Sequence, residues 1–363
     1  MIRATDMSLL TSYGELAVRI ALNLQPGQRL LIIGPLANGG CSLDAAPLVR
    51  AVAEQAYRAG ASYVEALWGD ESLVTARFRH AAPDTFDRFS RWLPDALLAH
   101  ARAGDAVLSI YANDPDLLKS EDPATVGGVQ QVVGRAVRPF RELMSTNATN
   151  WAVIAAPSPA WAEVVFPNLP REQQTPRLWD AIAALVRLDR PDPVAAWNDH
   201  LDALAARRDR LNDKRYHALR YRGPGTDLTI GLAPGHVWVS GRSTSGHGIP
   251  FTANLPTEEV FTMPHRDRVH GTVRSTKPLS YGGVLIEDFS MRFENGRIVQ
   301  VTARQGQSVL ENLVATDDGA ARLGEVALVP HSSPISQSGL LFYNTLFDEN
   351  AASHVAIGSA YRF

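Results

Sequence analysis

Four consecutive apolar residues, Leu30-Leu31-Ile32-Ile33, ending at Gly34, constrain this chain more than any other feature. A strand apolar on both faces must be covered on both, which is the condition of a strand in a parallel sheet flanked by helices. The surrounding sequence agrees. Leu9, Tyr13, Leu16 and Ile20 recur near helical spacing across residues 9–22, and Gln25-Pro26-Gly27-Gln28 is a turn. A helix is expected over about residues 45–59, stopped by Gly60, then a second strand at Tyr63-Val64-Glu65-Ala66-Leu67. Strand, helix, strand in this length is a βαβ unit. Ala106-Val107-Leu108-Ser109-Ile110 and Trp151-Ala152-Val153-Ile154-Ala155-Ala156 are further buried-strand candidates, the latter closed by Pro157 and Pro159. The first half is read as an α/β domain on a parallel sheet.

Residues 180–211 are charged and helical in pattern, interrupted by Pro191-Asp192-Pro193. The run Arg207-Arg208-Asp209-Arg210 reads as a solvated helix face. Near Leu219 the texture changes to strand-like runs with tight turns: Asp227-Leu228-Thr229-Ile230, Val237-Trp238-Val239 and residues 269–274. Phe289, Met291 and Phe293 alternate with polar residues, and after Asn295-Gly296 the alternation resumes at Val299, Val301 and Ala303. That is a hairpin whose two-residue turn needs positive φ at both central positions. The boundary is placed within residues 213–222, giving an N-terminal α/β domain over 1–215 and a β-rich α+β domain over 216–363. A length of 363 residues also suits two domains of about 150 or more each.

Composition removes several functions. Lys+Arg is 35 and Asp+Glu is 38, a net charge of −3, so nothing electrostatic favours nucleic acid or an anionic membrane. The single cysteine, Cys41, excludes a disulfide framework and a cysteine-based zinc cluster, so a metal site must use His, Asp and Glu. Two stretches free of Asp, Glu, Lys and Arg, residues 143–162 and 326–347, are long enough to span a bilayer but carry prolines and polar residues throughout. The N-terminus lacks the pattern of a signal peptide, and a cytoplasmic location is expected. The glycine-rich residues 34–40 match neither phosphate-binding spacing, which argues against a nucleotide-binding reading. No G-x-S-x-G elbow and no H-E-x-x-H occurs.

Acidic and imidazole side chains stand in unusual surroundings at three places. Glu258 and Glu259 lie between apolar residues in Asn254-Leu255-Pro256-Thr257-Glu258-Glu259-Val260-Phe261-Thr262, where an exposed turn is the plainer reading. Glu325 opens the run Val326-Ala327-Leu328-Val329, and a carboxylate buried there needs a cation, whether a basic side chain or a metal. His354 precedes small and apolar residues in Asp348-Glu349-Asn350-Ala351-Ala352-Ser353-His354, as a core histidine or a ligand. Together they offer two carboxylates and an imidazole, a set suited to a hydrolytic divalent metal.

The runs at residues 254–262 and 348–354 resemble those of the M29 family of metallo-aminopeptidases, and the resemblance extends over essentially the whole chain. Further carriers are Ala59-Gly60-Ala61, Pro157-Ser158-Pro159-Ala160-Trp161-Ala162, Gly225-Thr226-Asp227-Leu228-Thr229, Gly324-Glu325, Ser333-Pro334-Ile335 and Ala360-Tyr361. The resemblance implies a two-domain subunit, a homodimer, and a two-metal exopeptidase that removes N-terminal residues from peptides. It implies Glu259, Glu325 and His354 as metal ligands, Tyr361 as an active-site tyrosine and Glu258 as general base. The ions, two per subunit in a complete site, would be zinc, cobalt, manganese or magnesium. The family pattern runs on past Ala360-Tyr361 to an H-x-D segment supplying the last His and Asp ligands, which have no counterpart in Tyr361-Arg362-Phe363. The expectation is therefore an empty or partly occupied site. The competing reading is a non-catalytic peptide-binding or self-associating protein on the same scaffold.

Overall fold

The computed structural model describes residues 4–36, 39–281 and 284–361. By its internal contacts the chain divides into two compact units, Met1–His200 with Arg242–Pro256, and Leu201–Gly241 with Thr257–Phe363.

In the first unit, β1 (Arg29–Ile33), β2 (Tyr63–Ala66), β3 (Ala106–Tyr111) and β4 (Trp151–Ala155) form a parallel sheet in the order β2-β1-β3-β4. Leu31 stands opposite Glu65 on one side and Val107 on the other, and Leu30 through Ile33 are all buried, as a four-residue apolar run requires. The helix Ala46–Arg58 carries β1 to β2. Pro47 sits in its first turn, where a missing N–H costs nothing, and Gly60 at φ 94° turns the chain beyond it. Leu31, Ile33 and Val107 pack with Leu97, Ala101, Val137 and Phe140.

The sequence places one break at 215/216; the contacts place the first at 200/201, inside the helix Pro193–Lys214, and return residues 242–256 to the first unit. That return is made by backbone pairing. Arg242–Thr244 pairs antiparallel with Pro250–Thr252, and the Val153 N–H in β4 donates to the Ala253 carbonyl at 2.7 Å. A change of texture along the chain cannot report a segment that comes back.

The second unit holds β5 (Ala218–Gly223), β6 (Thr226–Leu232), β7 (Val239–Ser240), β8 (Val260–Thr262), β9 (Pro264–Arg274), β10 (Ser290–Glu294), β11 (Arg297–Thr302), β12 (Leu323–Leu328) and β13 (His354–Ile357). They form two antiparallel sheets, ordered β11-β10-β9-β6-β5 and β13-β12-β8-β7. Leu228, Ile230 and Phe293 of the first pack with Val260 and Val326 of the second around the fully buried Trp238. The expected hairpin joins β10 to β11, with φ 48° at Asn295 and 77° at Gly296. The expected strand at residues 237–239 is not one. The Trp238 N–H donates to Asn212 Oδ1 at 2.8 Å instead of entering a ladder, and pairing begins only at Val239. The architecture is thus an α/β parallel-sheet region followed by a β-rich region.

Candidate metal centre

The register of the four-stranded sheet decides which side chains share a face. Phe261 in β8 lies opposite Ala327 in β12, and Ala327 lies opposite His354 in β13. Side chains alternate along a strand, so Glu325, two residues from Ala327, points to the same face as His354. Glu259 precedes β8 and stands two residues from Phe261, placing it on that face as well. Diagonal neighbours on adjacent strands are close enough for long side chains to meet. One ligand atom each from Glu259, Glu325 and His354 accordingly lies within 4.8 Å of the others. Donors bound to one metal at about 2 Å must be spaced this closely.

The atoms aim at a shared point more than at one another. His354 Nε2 is 3.1 Å from Glu259 Oε2 and 3.6 Å from Glu325 Oε1. Yet both Nε2 and Glu259 Oε2 are buried with no aligned hydrogen bond among the described residues. His354 Nδ1 is 3.0 Å from the Ala352 carbonyl. Donating there leaves Nε2 turned toward the carboxylates, the nitrogen that would ligate a metal once its proton is displaced. Among the described residues no Lys or Arg pairs with Glu259 or Glu325, so the basic partner considered for Glu325 is replaced by the imidazole. Burial acts to lower the His354 pKa, but the Glu259 and Glu325 carboxylates outweigh it and hold it well above the usual imidazole value. A half-buried site rich in carboxylate, with two buried ligand atoms lacking an aligned hydrogen bond, fits a divalent cation.

The exposed turn considered for Glu258 and Glu259 is not found: they are 3% and 7% exposed. The Glu258 N–H donates to Asn350 Oδ1 at 2.7 Å, and its carboxylate is outside the converging set. The Tyr361 ring packs on Phe261 with centroids 5.6 Å apart. Burial, then the Glu325, Glu259 and Glu349 carboxylates, push its phenol up to about 12. Sequence reasoning passed over Glu349. Burial, then the Glu259 charge, push its carboxyl up to about 8; His354 opposes the shift and Glu325 and Asp348 add to it. Glu349 lies within the quoted Asp348-to-His354 motif, but nothing in spacing marks it, because a short helical turn and not a strand aims it at the cluster.

The sequence profile of the family described as thermophilic metalloprotease (M29) matches residues 7–363. The chain belongs to this family. Aminopeptidase 2 of Geobacillus stearothermophilus is 47% identical over 352 residues, which are 97% of this chain and 84% of that protein. Aminopeptidase T of Thermus thermophilus is 45% identical over 353 residues, 97% of this chain and 85% of the relative. The solved structure of wild-type AmpT from Thermus thermophilus aligns with a TM-score of 0.90 at 43% identity, covering 98% of this chain and 86% of that one. Membership makes the chain a metallo-aminopeptidase and implies a divalent metal.

Proposed function

We propose that Glu259, Glu325 and His354, with Glu349 as a fourth donor, hold the metal of an aminopeptidase that removes N-terminal residues from peptides. The observation that carries the reading is the convergence of three ligand atoms within 4.8 Å, two of them buried without an aligned partner. These residues would hold a divalent cation, zinc, cobalt, manganese or magnesium; four side chains are enough for one ion, and the second of a complete site would need the further ligands that the family pattern places beyond Tyr361. When bound, the ions supply Lewis acidity toward the scissile carbonyl and acidify a water nucleophile. The chain's own groups do the rest. Tyr361, kept protonated, donates a hydrogen bond to the carbonyl oxygen as negative charge develops there. The resemblance assigns the general base to Glu258, but with its carboxylate outside the converging set the geometry supports that role less than it supports the ligand roles of Glu259, Glu325 and His354. A cytoplasmic homodimer acting on peptides, without nucleic acid or membrane, belongs to the same reading. A net charge of −3 supports it, and no helix among the described residues is long and apolar enough to cross a membrane.

The test is hydrolysis of leucine p-nitroanilide by the purified chain, with metal content measured alongside. Chelation should abolish hydrolysis and one of the four metals restore it, with at least one ion bound per chain. Glu259→Gln should lose metal and cut hydrolysis more than ~100-fold, since even outer partners of a ligand cost 10–100-fold. Retained activity in Glu259→Gln with unchanged circular dichroism would assign the ligand role elsewhere. Light scattering at micromolar concentration should give a dimer.

A further inference from the structure

A cavity of about 550 Å³ opens in the second unit, inside the ~300–1,000 Å³ range of ligand pockets. Glu325, Glu349 and His354 border it, so it is continuous with the metal-binding face. Elsewhere much of its wall is apolar, with Val273, Leu279, Phe289 and Met291. Three basic side chains, Arg222, Arg274 and Lys277, also belong to that wall. Arg274 is taken by Asp288 at 2.6 Å, and Arg222 is exposed on β5. Lys277 differs from both. It lies just past the end of β9, half-buried, and its ammonium makes no ion pair or hydrogen bond among the described residues. The ammonium is nonetheless within electrostatic reach of the acidic border. Burial raises the pKa of the Asp348 carboxyl, which is in the same wall, and the Phe342 and Asn344 N–H groups, then the Lys277 charge, oppose the rise. Lys277 does not close on Asp348, whose two oxygens already accept those N–H groups at 2.8 and 3.0 Å. A half-buried ammonium in a largely apolar wall, with no acid upon it, is an open receptor for an anionic group.

We infer that Lys277 binds the C-terminal carboxylate of a di- or tripeptide whose scissile bond lies at the metal-binding face, so that the chain favours short peptides with a free carboxylate. The inference deepens the aminopeptidase reading and rests on it. Were the cavity spherical it would be about 10 Å across, and an extended chain advances ~3.3–3.6 Å per residue. Two or three residues therefore reach from one border to another, and a longer peptide carries its carboxylate outside. The flexible four-carbon stem of lysine lets its ammonium follow either length. The rest of the molecule works against this contact. A net charge of −3 and the acids at the opposite border repel a free carboxylate. A preference for the free acid over its amide therefore needs a local cation, which Lys277 supplies.

The experiment compares kcat/KM of the metal-loaded full chain on Leu-Gly, Leu-Gly-Gly and Leu-Gly-Gly-Gly-Gly, each against its C-terminal amide. It is paired with calorimetric titration of the reduced-bond analogue of Leu-Gly, with CH2–NH in place of the peptide bond, and of the amide of that analogue, neither of which is hydrolysed. The acid should exceed the amide by about 10-fold for the two short peptides, the lower end of the worth of a hydrogen bond to a charged group, because Lys277 is partly exposed. The ratio should be near one for the pentapeptide. The titrated acid should bind more tightly than its amide by a factor similar to that of the dipeptide. In Lys277→Gln, which removes the charge from a side chain that holds nothing in the fold, the ratios should all fall to near one. If no peptide or amide is cleaved, the aminopeptidase reading fails, and the titration alone still decides Lys277. If cleavage occurs, a wild-type ratio of one or less for both short peptides, or a ratio that survives in Lys277→Gln, overturns the inference and leaves the aminopeptidase reading standing. A pentapeptide ratio as large as that of the dipeptide also overturns it, because the carboxylate is then sensed from outside the cavity.

Discussion

Gly324 stands next to Glu325 at a place with no room for a side chain. A Cβ there would sit 2.3 Å from the Ser359 carbonyl oxygen and 2.8 Å from that of Gly358. Both obstacles are backbone, so neither can rotate away. The register of β12 against β13 also shifts between Leu323 and Glu325. Gly324 thus permits the chain leading to Tyr361 to lie against the strand that carries Glu325. Gly324→Ala is expected to cost about 1–3 kcal/mol, the usual range for overpacking, and to weaken metal binding as well. Thermal melts with and without added zinc check both effects; an undisturbed melt and an undisturbed zinc response would show that this approach positions nothing. Cys41 gives a prediction of another kind. Burial pushes its thiol up to about 12. The folded state favours the neutral form, so the contribution to stability is present below the ordinary thiol pKa of ~8.5 and is lost as pH rises toward 12. Native Cys41 should not react with a disulfide reagent at pH 8 until denaturant is added, and rapid stoichiometric labelling of the folded chain would contradict this. Of the charged cluster, Glu259, Glu325 and His354 stand out in sequence because ionisable groups bordering apolar runs are unusual. Glu349 does not, because it sits among polar neighbours and only the fold buries it.

The sheet does at the level of elements what no single residue can. β8, β12 and β13 are far apart in sequence, yet their antiparallel register puts ligands onto one face with no adjustment beyond the pleat. Strands and hairpin were readable because alternation and Asn-Gly are local signals, whereas the pairing of β8 with β12 is non-local and has no sequence mark. The edge of the site is tied down by Asn350, which is fully buried. Its Oδ1 accepts from the Glu258 N–H, its Nδ2 donates to the Leu346 carbonyl at 3.1 Å, and its own carbonyl accepts from Ser333 Oγ at 2.9 Å. The segment carrying Glu258 and Glu259 is thereby fastened to the turn carrying Glu349. Asn350→Ala leaves a buried N–H and a buried carbonyl unpaired, at about 1–3 kcal/mol for each group so stranded. It should lower the melting temperature and reduce zinc affinity together. A loss of stability with undiminished zinc affinity would make Asn350 a core residue only.

At the scale of the molecule, the second unit gathers like charge that its own chain does not neutralise. Glu259, Glu325 and Glu349 share one space with a single imidazole, and Glu349 moves toward its neutral form in response. A metal that binds this face and not the unfolded chain must stabilise the fold by mass action, by about 4 kcal/mol at a thousandfold excess over its Kd. For a unit of about 150–250 residues, each kcal/mol is worth roughly 2–4 °C, so zinc should raise the melting temperature of the second unit by about 8–16 °C. A smaller rise is expected if the whole chain melts as one body, because the same free energy is then spread over a larger entropy of unfolding. Glu259→Gln separates this account from general tightening by a bound ion. Removing one carboxylate relieves repulsion, so the chelated variant should melt at or above the chelated parent. Removing a ligand forfeits the metal's contribution, so with zinc the order should reverse. A variant that melts below the parent in chelator and gains as many degrees from zinc would show that Glu259 serves packing, and that the cation is held by other side chains.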